Sequence, residues 1–450
     1  MNLERLVATL PVSRQHARQV AGNAGWLIVE RLLRGIVGLG VGVALARALG
    51  SAGFGTLSYA LSFVLIFNTL WQLGLSGIVV RELVRTPAAR DEILGTVFAL
   101  RFGGAALGLA SILVAAVLLA PADAATRWSI VVLGVGTLFF AFEGVDFWFQ
   151  SEVQSRYAVM ARLAALAVSA TATIALVVFD APVVAMAAAA SLEYVVTGLG
   201  YVVVYARAGG SLRAWKVDRG RARTLLSISW PLIVSGIFNS INLRIDQLML
   251  GNLVGAGAVG TYAAAARLSE VWSFVPLAIA TSLAPGLLRA RETDRTVYQR
   301  RMQQAYDLMV WLALPLAIGV SATSGLIIDV LYGSEYAAAA PILSVHVWAG
   351  PFVFMGAVLS KWLIAEDHIR FSMVRHGAGA GVNVALNLVL IPPLGGLGSA
   401  IATLVSYAVA SFGACALYRP TWTAARQMAV ALASPVRLLA ALPSRLRSAG

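Results

Sequence analysis

The sequence predicts an all-α protein that crosses a membrane about twelve times, in two lobes of six helices. Three observations predict it. Charged residues make up 12% of the chain and hydrophobic residues 59%, with a mean hydropathy of +0.81. A soluble domain carries about twice that share of charge. Largely apolar runs fill 93–120, 128–150 and 398–417, each about as long as a helix needs to cross the apolar layer. These runs lack the alternating polarity of barrel strands. Lipid offers backbone groups no water to bond to, so helices are the remaining way across.

In chain order the spans fall near 23–46, 55–80, 93–120, 127–150, 157–180, 182–206, 225–250, 258–288, 304–330, 338–362, 371–392 and 396–417. The chain carries 34 Lys and Arg, and most of them gather in alternate loops. Arg81, Arg85 and Arg90 follow the second span, Arg207 to Arg223 the sixth, and Arg289 to Arg301 the eighth. Only Arg47 and Arg127 fall in the opposite set. Cytoplasmic loops hold the basic residues of membrane proteins. An even number of spans with both termini cytoplasmic is therefore expected. This also accounts for the net charge of +13 and the pI near 10.4 without a nucleic-acid partner.

The loop pattern divides the chain into an N-terminal cytoplasmic segment 1–22, a first lobe 23–206, a basic linker 207–224, a second lobe 225–417 and a basic cytoplasmic or interfacial tail 418–450. Within the tail, 424–442 is apolar but interrupted by Arg426, Pro435 and Arg437, which suits an interfacial segment better than a thirteenth span. LGSAGFGT at 49–56 resembles LVGAGAVGT at 253–261, an offset of about 205 residues. Each joins the first two spans of its lobe, as a parallel repeat would. Prolines inside spans concentrate in the second lobe, at Pro231, Pro276, Pro285, Pro315, Pro341 and Pro351. The lone cysteine, Cys415, reads as a small packing residue.

An ionisable group inside a span costs roughly 3 kcal/mol on insertion scales, so each one needs a reason. Glu30, Arg31 and Arg34 cluster in the first span, with Glu30 and Arg34 four apart on one face. Arg244 and Asp246 lie in the seventh span, Arg267 and Glu270 in the eighth. Arg31, Arg34, Arg244 and Arg267 are candidates for holding an anionic group, because a guanidinium presents a planar fork matched to phosphate oxygens. Glu143 and Asp146 have no basic neighbour on their own helix, and Arg101 and Arg162 are the expected partners. The competing role for Glu30, Glu143, Asp146 and Asp246 is ion coupling. Glu193 has no evident partner. His346 reads as a packed residue, and Asn383 and Asn387 as interhelical hydrogen bonders. No metal-ligand or nucleophile spacing and no GK[ST] phosphate loop occurs, so neither catalysis nor a cofactor is expected.

The chain resembles the polysaccharide-exporter branch of the multidrug/oligosaccharidyl-lipid/polysaccharide superfamily, the Wzx-type O-antigen and exopolysaccharide flippases. The resemblance rests on NAGWLIVERLLRGIVGLGVGVALARALGSAGFGTLSYA at 23–60, QLGLSGIVVREL at 72–83, LLSISWPLIVSGIFNSINLRIDQLMLG at 225–251, GTYAAAARLSEVWSFVPLAIATSLAPGL at 260–287 and NVALNLVLIPPLGGLGSAIATLVSY at 383–407. It implies a MATE-like fold and alternating access. It also implies movement of an undecaprenyl-diphosphate-linked oligosaccharide to the periplasmic leaflet of a bacterial inner membrane, coupled to H+ or Na+ and working beside polysaccharide polymerase and export machinery. The rivals are a drug/cation antiporter of the same superfamily, which would favour an acidic cavity, and a membrane glycan polymerase or ligase, which would need larger external loops.

Overall fold

The computed structural model describes residues 14–368 and 370–434. The expected N-terminal segment therefore falls outside the described residues up to position 13, and the tail does so beyond 434. Every regular element among the described residues is a helix. In the first half these are α1 (Arg14–Ile66), α2 (Asn68–Gln72), α3 (Ser76–Arg85), α4 (Arg90–Leu119), α5 (Ala124–Gly136), α6 (Gly144–Ser151), α7 (Arg156–Val178) and α8 (Val183–Arg207). The second half contains α9 (Arg219–Leu253), α10 (Ala256–Glu270), α11 (Phe274–Thr293), α12 (Arg295–Ala322), α13 (Ser324–Tyr332), α14 (Ala339–His346), α15 (Gly350–Ala365), α16 (Phe371–Leu394), α17 (Gly396–Ala408), α18 (Ala414–Leu417) and α19 (Trp422–Leu432).

Eleven helical segments among the described residues are long and apolar enough to cross a membrane, where the sequence suggested about twelve. The difference lies at one place. The first two expected spans join into one run, Gly25–Ile66, of 42 residues. A straight helix of that length would measure about 63 Å, twice the apolar thickness of a bilayer. Gly50 interrupts it with φ 65° and ψ 178°, a conformation that glycine adopts without a Cβ clash. The second span also stops earlier than expected. It ends at Ile66, and Leu73 and Gly74, with φ of 52° and 61°, separate α2 from the short helix α3.

The repeat legible in the sequence has a structural counterpart. Gly255, the residue equivalent to Gly50, precedes α10 with φ 123° and ψ 177°. The next equivalent pair, Gly55 and Gly260, lets two helices meet backbone to backbone. A Cβ on Gly55 would lie 1.8 Å from the Ala256 carbonyl oxygen, and one on Gly260 would lie 1.9 Å from that of Ser51. Ser51 and Ala256 are themselves equivalent positions, so the crossing is reciprocal. Small residues four apart allow this approach in membranes, where dispersion contacts must supply the attraction.

The chain divides into two compact units: residues 1–45 with 67–233, and residues 46–66 with 234–450. Residues 46–66, expected within the first lobe, thus cluster with the second half. In the first unit, Leu75, which caps α3, and Val79 and Leu83 of α3 pack with Ile93, Leu94 and Val97 of α4, Phe149 of α6 and Tyr205 of α8. The basic linker is docked on this unit. The Lys216 N–H donates to the Asp91 carbonyl at 3.2 Å, Trp215 Nε1 donates to the Tyr205 hydroxyl at 3.1 Å, and Arg221 bridges Glu82 and Glu92.

In the second unit, α11, α12, α15, α16, α18 and α19 share one core that includes Tyr306, Met309, Phe354, Leu359, Cys415 and Met428. The described part of the tail is α19, whose 11 residues are too few for a span. It is docked rather than loose, since Gln427 Nε2 donates to the Gln299 carbonyl at 3.1 Å. Residues 330–336 clasp the Gly50 break. Arg47 donates to the carbonyls of Val330 and Leu331, the Tyr336 hydroxyl donates to the Ala46 carbonyl, and the Ser51 N–H donates to Glu335 Oε1 at 2.6 Å. Donation from Ser51 holds the exposed Glu335 carboxyl below its usual range. Large apolar side chains face outward along α4 and α7, among them Leu107, Val117, Leu118, Ile174 and Val178. So much exposed apolar surface is out of place in water and is solvated by lipid.

Candidate functional site

Four helices of the first unit, α1, α6, α7 and α8, bring five intramembrane charges together, and Arg101 and Glu143 form a further pair. Arg162 of α7 grips Glu30 of α1 with both ends of its fork, Nε to Oε1 at 2.7 Å and Nη2 to Oε2 at 2.6 Å. Its Nη1 also donates to Asp146 Oδ2 at 2.9 Å. Asp146 takes a further bond from Gln150, one turn along α6, at 3.0 Å. Arg34 donates to Glu193 of α8 and lies 3.7 Å from Glu30. Arg101, 1% exposed, donates to Glu143 and to the carbonyls of Phe140 and Gln72.

The two arginines expected to answer Glu143 and Asp146 do so. The local pair expected between Glu30 and Arg34 is secondary, because Arg162 reaches Glu30 at closer range and Arg34 turns to Glu193. Bidentate arginine–carboxylate pairs of this kind combine charge with fixed geometry. Arg31 is the exception. It is exposed, and no carboxylate among the described residues pairs with it.

The second unit pairs Glu366 with Arg291 and Arg295 at its surface but keeps the charges inside its spans apart. Asp246 of α9 is 2% exposed, and its carboxylate is held by neutral donors alone. Asn387 Nδ2 donates at 2.6 Å, Thr403 Oγ1 at 2.9 Å and the Tyr262 hydroxyl at 3.1 Å. Further hydrogen bonds orient Asn387: its Nδ2 also donates to Asn383 Oδ1 at 2.9 Å, and Ser399 Oγ donates to its Oδ1 at 2.9 Å. No cationic side chain among the described residues forms an ion pair with Asp246. Arg244, two residues away, projects from another face of the helix and pairs with no carboxylate among the described residues. Arg267 lies over the Phe54 ring, 5.4 Å from its centroid, and makes no ion pair with Glu270. His346 is buried and bonded to Ser269 Oγ at 2.9 Å.

The hydroxyls around Asp246 were not singled out from the sequence. Ser399, Thr403 and Ser406 stand at i, i+4 and i+7 on α17, a polar stripe on an otherwise apolar span, and that stripe was the available signal. Tyr262 left none. Chemically, the second unit offers a buried carboxylate caged by oxygen- and amide-bearing side chains, and separately the guanidinium groups of Arg244 and Arg267, which form no ion pair among the described residues. Among the described residues, no group of three or more His, Cys, Asp or Glu could hold a metal ion.

The model of the polysaccharide biosynthesis protein family matches residues 20–291, and that of the MatE family matches residues 231–389. The chain is 30% identical over 188 residues to the "Probable flippase AglR" of Haloferax volcanii, a match covering 37% of this chain and 36% of that protein. The chain thus spans about a third of that relative's length. Two solved structures share the fold. One is "Lipid II flippase MurJ, inward closed conformation", with TM-score 0.70, 13% identity, and 91% of this chain and 90% of that chain covered. The other is a multidrug resistance MATE family transporter of the MOP superfamily in an inward-facing conformation, with TM-score 0.74, 15% identity, and 89% and 98% covered.

Proposed function

The chain belongs to the polysaccharide biosynthesis protein family, and from that premise we propose that it is a flippase for a lipid-linked oligosaccharide. In this reading the cargo is an undecaprenyl-diphosphate-linked repeat unit. It passes from the cytoplasmic to the periplasmic leaflet of a bacterial inner membrane by alternating access, in a chain whose two termini are cytoplasmic.

One observation carries the reading: among the described residues, Arg31, Arg244 and Arg267 bring positive charge into the spans and form no ion pair with a carboxylate. An unpaired charge in the bilayer is expensive, and a diphosphate headgroup supplies the missing partner with matched geometry. Arg34, shared with Glu193 and partly exposed, joins them as a contact that opens by releasing its carboxylate. A cationic drug would meet repulsion from the same side chains, which disfavours the antiporter reading. The relative named as a flippase supports the assignment.

The test is a deletion strain. Lipid-linked oligosaccharide accumulating on the cytoplasmic leaflet, with surface polysaccharide lost, is the expected result. Normal polysaccharide with retention of toxic cations would replace this reading by the antiporter one.

Ion coupling belongs to Asp246 in this scheme. A buried carboxylate solvated by neutral groups gains most from a proton or Na+, whereas Glu30, Glu143 and Asp146 already have guanidinium partners. Flipping assayed in vesicles under an imposed Na+ or H+ gradient separates the two ions. Dependence on neither would remove Asp246 from the coupling role. Polymerase or export machinery is the downstream partner that the cargo requires.

A further inference from the structure

Arg375, in the second turn of α16, is 5% exposed. Its Nη2 donates to Ser360 Oγ of α15 at 3.0 Å, and its Nε is buried without a hydrogen-bond partner. No carboxylate among the described residues pairs with it, and outside them the sequence adds no Asp or Glu but Glu4. An arginine does not discharge itself by losing its proton. A buried charge without a counter-charge is strongly unfavourable.

Other features converge on the same place. The Tyr306 hydroxyl of α12 is fully buried and unpartnered, and it lies within electrostatic reach of the guanidinium. The span that follows α16 is wound as a π-turn over Val409–Gly413, a distortion often found where a helix serves a site. That turn carries Ser411 to a notch at Gly356. A Cβ added to Gly356 would lie 2.9 Å from Ser411 Oγ and 3.9 Å from Arg375 Nη1. Both polar atoms therefore face the same backbone position, which only a residue without a side chain leaves free.

We propose that Arg375, Tyr306 and Ser411 form a binding site for a small monovalent anion of the chloride class, which neutralises Arg375 and ties α12, α16 and the π-turn together. The donors are a guanidinium and hydroxyls, with no competing acceptor carboxylate, and the burial selects a monatomic ion over a phosphate. Its role is structural, and it is independent of the cargo assigned above.

The test is thermal unfolding of the purified full chain in sodium chloride against sodium gluconate at matched ionic strength. The expected result is a saturable chloride-dependent rise of about 4 °C in Tm at anion concentrations well above Kd. Arg375→Gln removes the charge that needs the anion and is expected to unfold at the same temperature in both salts. Gly356→Ala keeps the charge and fills the notch, so it too should lose the chloride response, while being less stable than the wild type in chloride. A bromide-soaked crystal of the wild type should show anomalous density beside Arg375, whatever the variants do. Equal Tm of the wild type in the two salts, an undiminished chloride response in Arg375→Gln, or bromide density elsewhere alone would each overturn the proposal.

Discussion

Asp146 and Asp246 are nearly equal in burial, at 5% and 2% exposed, yet the two units of the molecule treat them in opposite ways. Asp146 lies beside Arg162, which also holds Glu30, so the first unit answers negative charge with positive charge. Asp246 receives three hydrogen bonds from an amide, a hydroxyl and a phenol, so the second unit solvates its carboxylate and leaves the charge in place. The arginines follow suit. Arg101, Arg162 and Arg34 spend their forks on carboxylates, while Arg244 and Arg267 do not. Closed ion pairs hold helices together and resist exchange. Solvated or unpaired charges remain available to something that arrives from outside. The contrast therefore separates scaffold from working parts by electrostatics alone.

The sharpest way to break this comparison is Arg162→Met. It leaves Asp146 buried without a cation and Glu30 with only the longer Arg34 contact, at a cost of about 3–5 kcal/mol. Folded protein recovered by size-exclusion chromatography should fall drastically. Asp246→Asn in the same assay should stay near wild type, because every partner of that carboxylate is neutral. If the two variants were equally damaging, the distinction between the units would be lost.

Function should reverse that order. Asp246→Asn is expected to lower polysaccharide export at least about tenfold, the size of an interaction worth roughly 1.4 kcal/mol. Glu143→Gln should reduce thermal stability while leaving export of the folded protein near wild type. Smaller again are Arg244→Ala and Arg267→Ala, each expected to cut export several-fold with stability changed by no more than about 1 kcal/mol, the range of the cation–π contact that Arg267 gives up. Unchanged export would remove that arginine from the headgroup assignment.

The smallest effect belongs to the clasp around Gly50. A carboxyl whose folded value is depressed adds stability above its ordinary pKa, and that stability is lost as pH falls through the depressed value. Glu335→Gln should therefore lower Tm slightly in the neutral region and converge with the wild type in acid, flattening the acid limb of the profile, as read by Tm from about pH 3 to about pH 7, which brackets the usual carboxylate range.

Much of the charge arrangement was legible because it follows from cost. Arg101 and Arg162 stood in neighbouring spans at a depth similar to that of Glu143 and Asp146, and an unpaired charge in lipid is expensive enough to make pairing the default. The choice between Arg34 and Arg162 for Glu30 was not legible. Four-residue spacing allows the local pair, and only the approach of α7 to α1 supplies the better one. Glu193 lacked a visible partner for the same reason, since Arg34 is far from it in sequence. The cage around Asp246 was half visible, in the two asparagines, and its hydroxyls were lost among the many serines and threonines that face lipid or helix backbone.

By itself the sequence determined the solvent, the helical class, the approximate number of crossings, the internal repeat and which charges need a partner, because each of these depends on composition and local spacing. Only the tertiary structure decided which partner each charge takes, where the second crossing stops, that residues 46–66 cluster with the second half, and that Gly55 and Gly260 form one reciprocal crossing. These depend on distances between segments far apart in the chain, and hydropathy is blind to such distances.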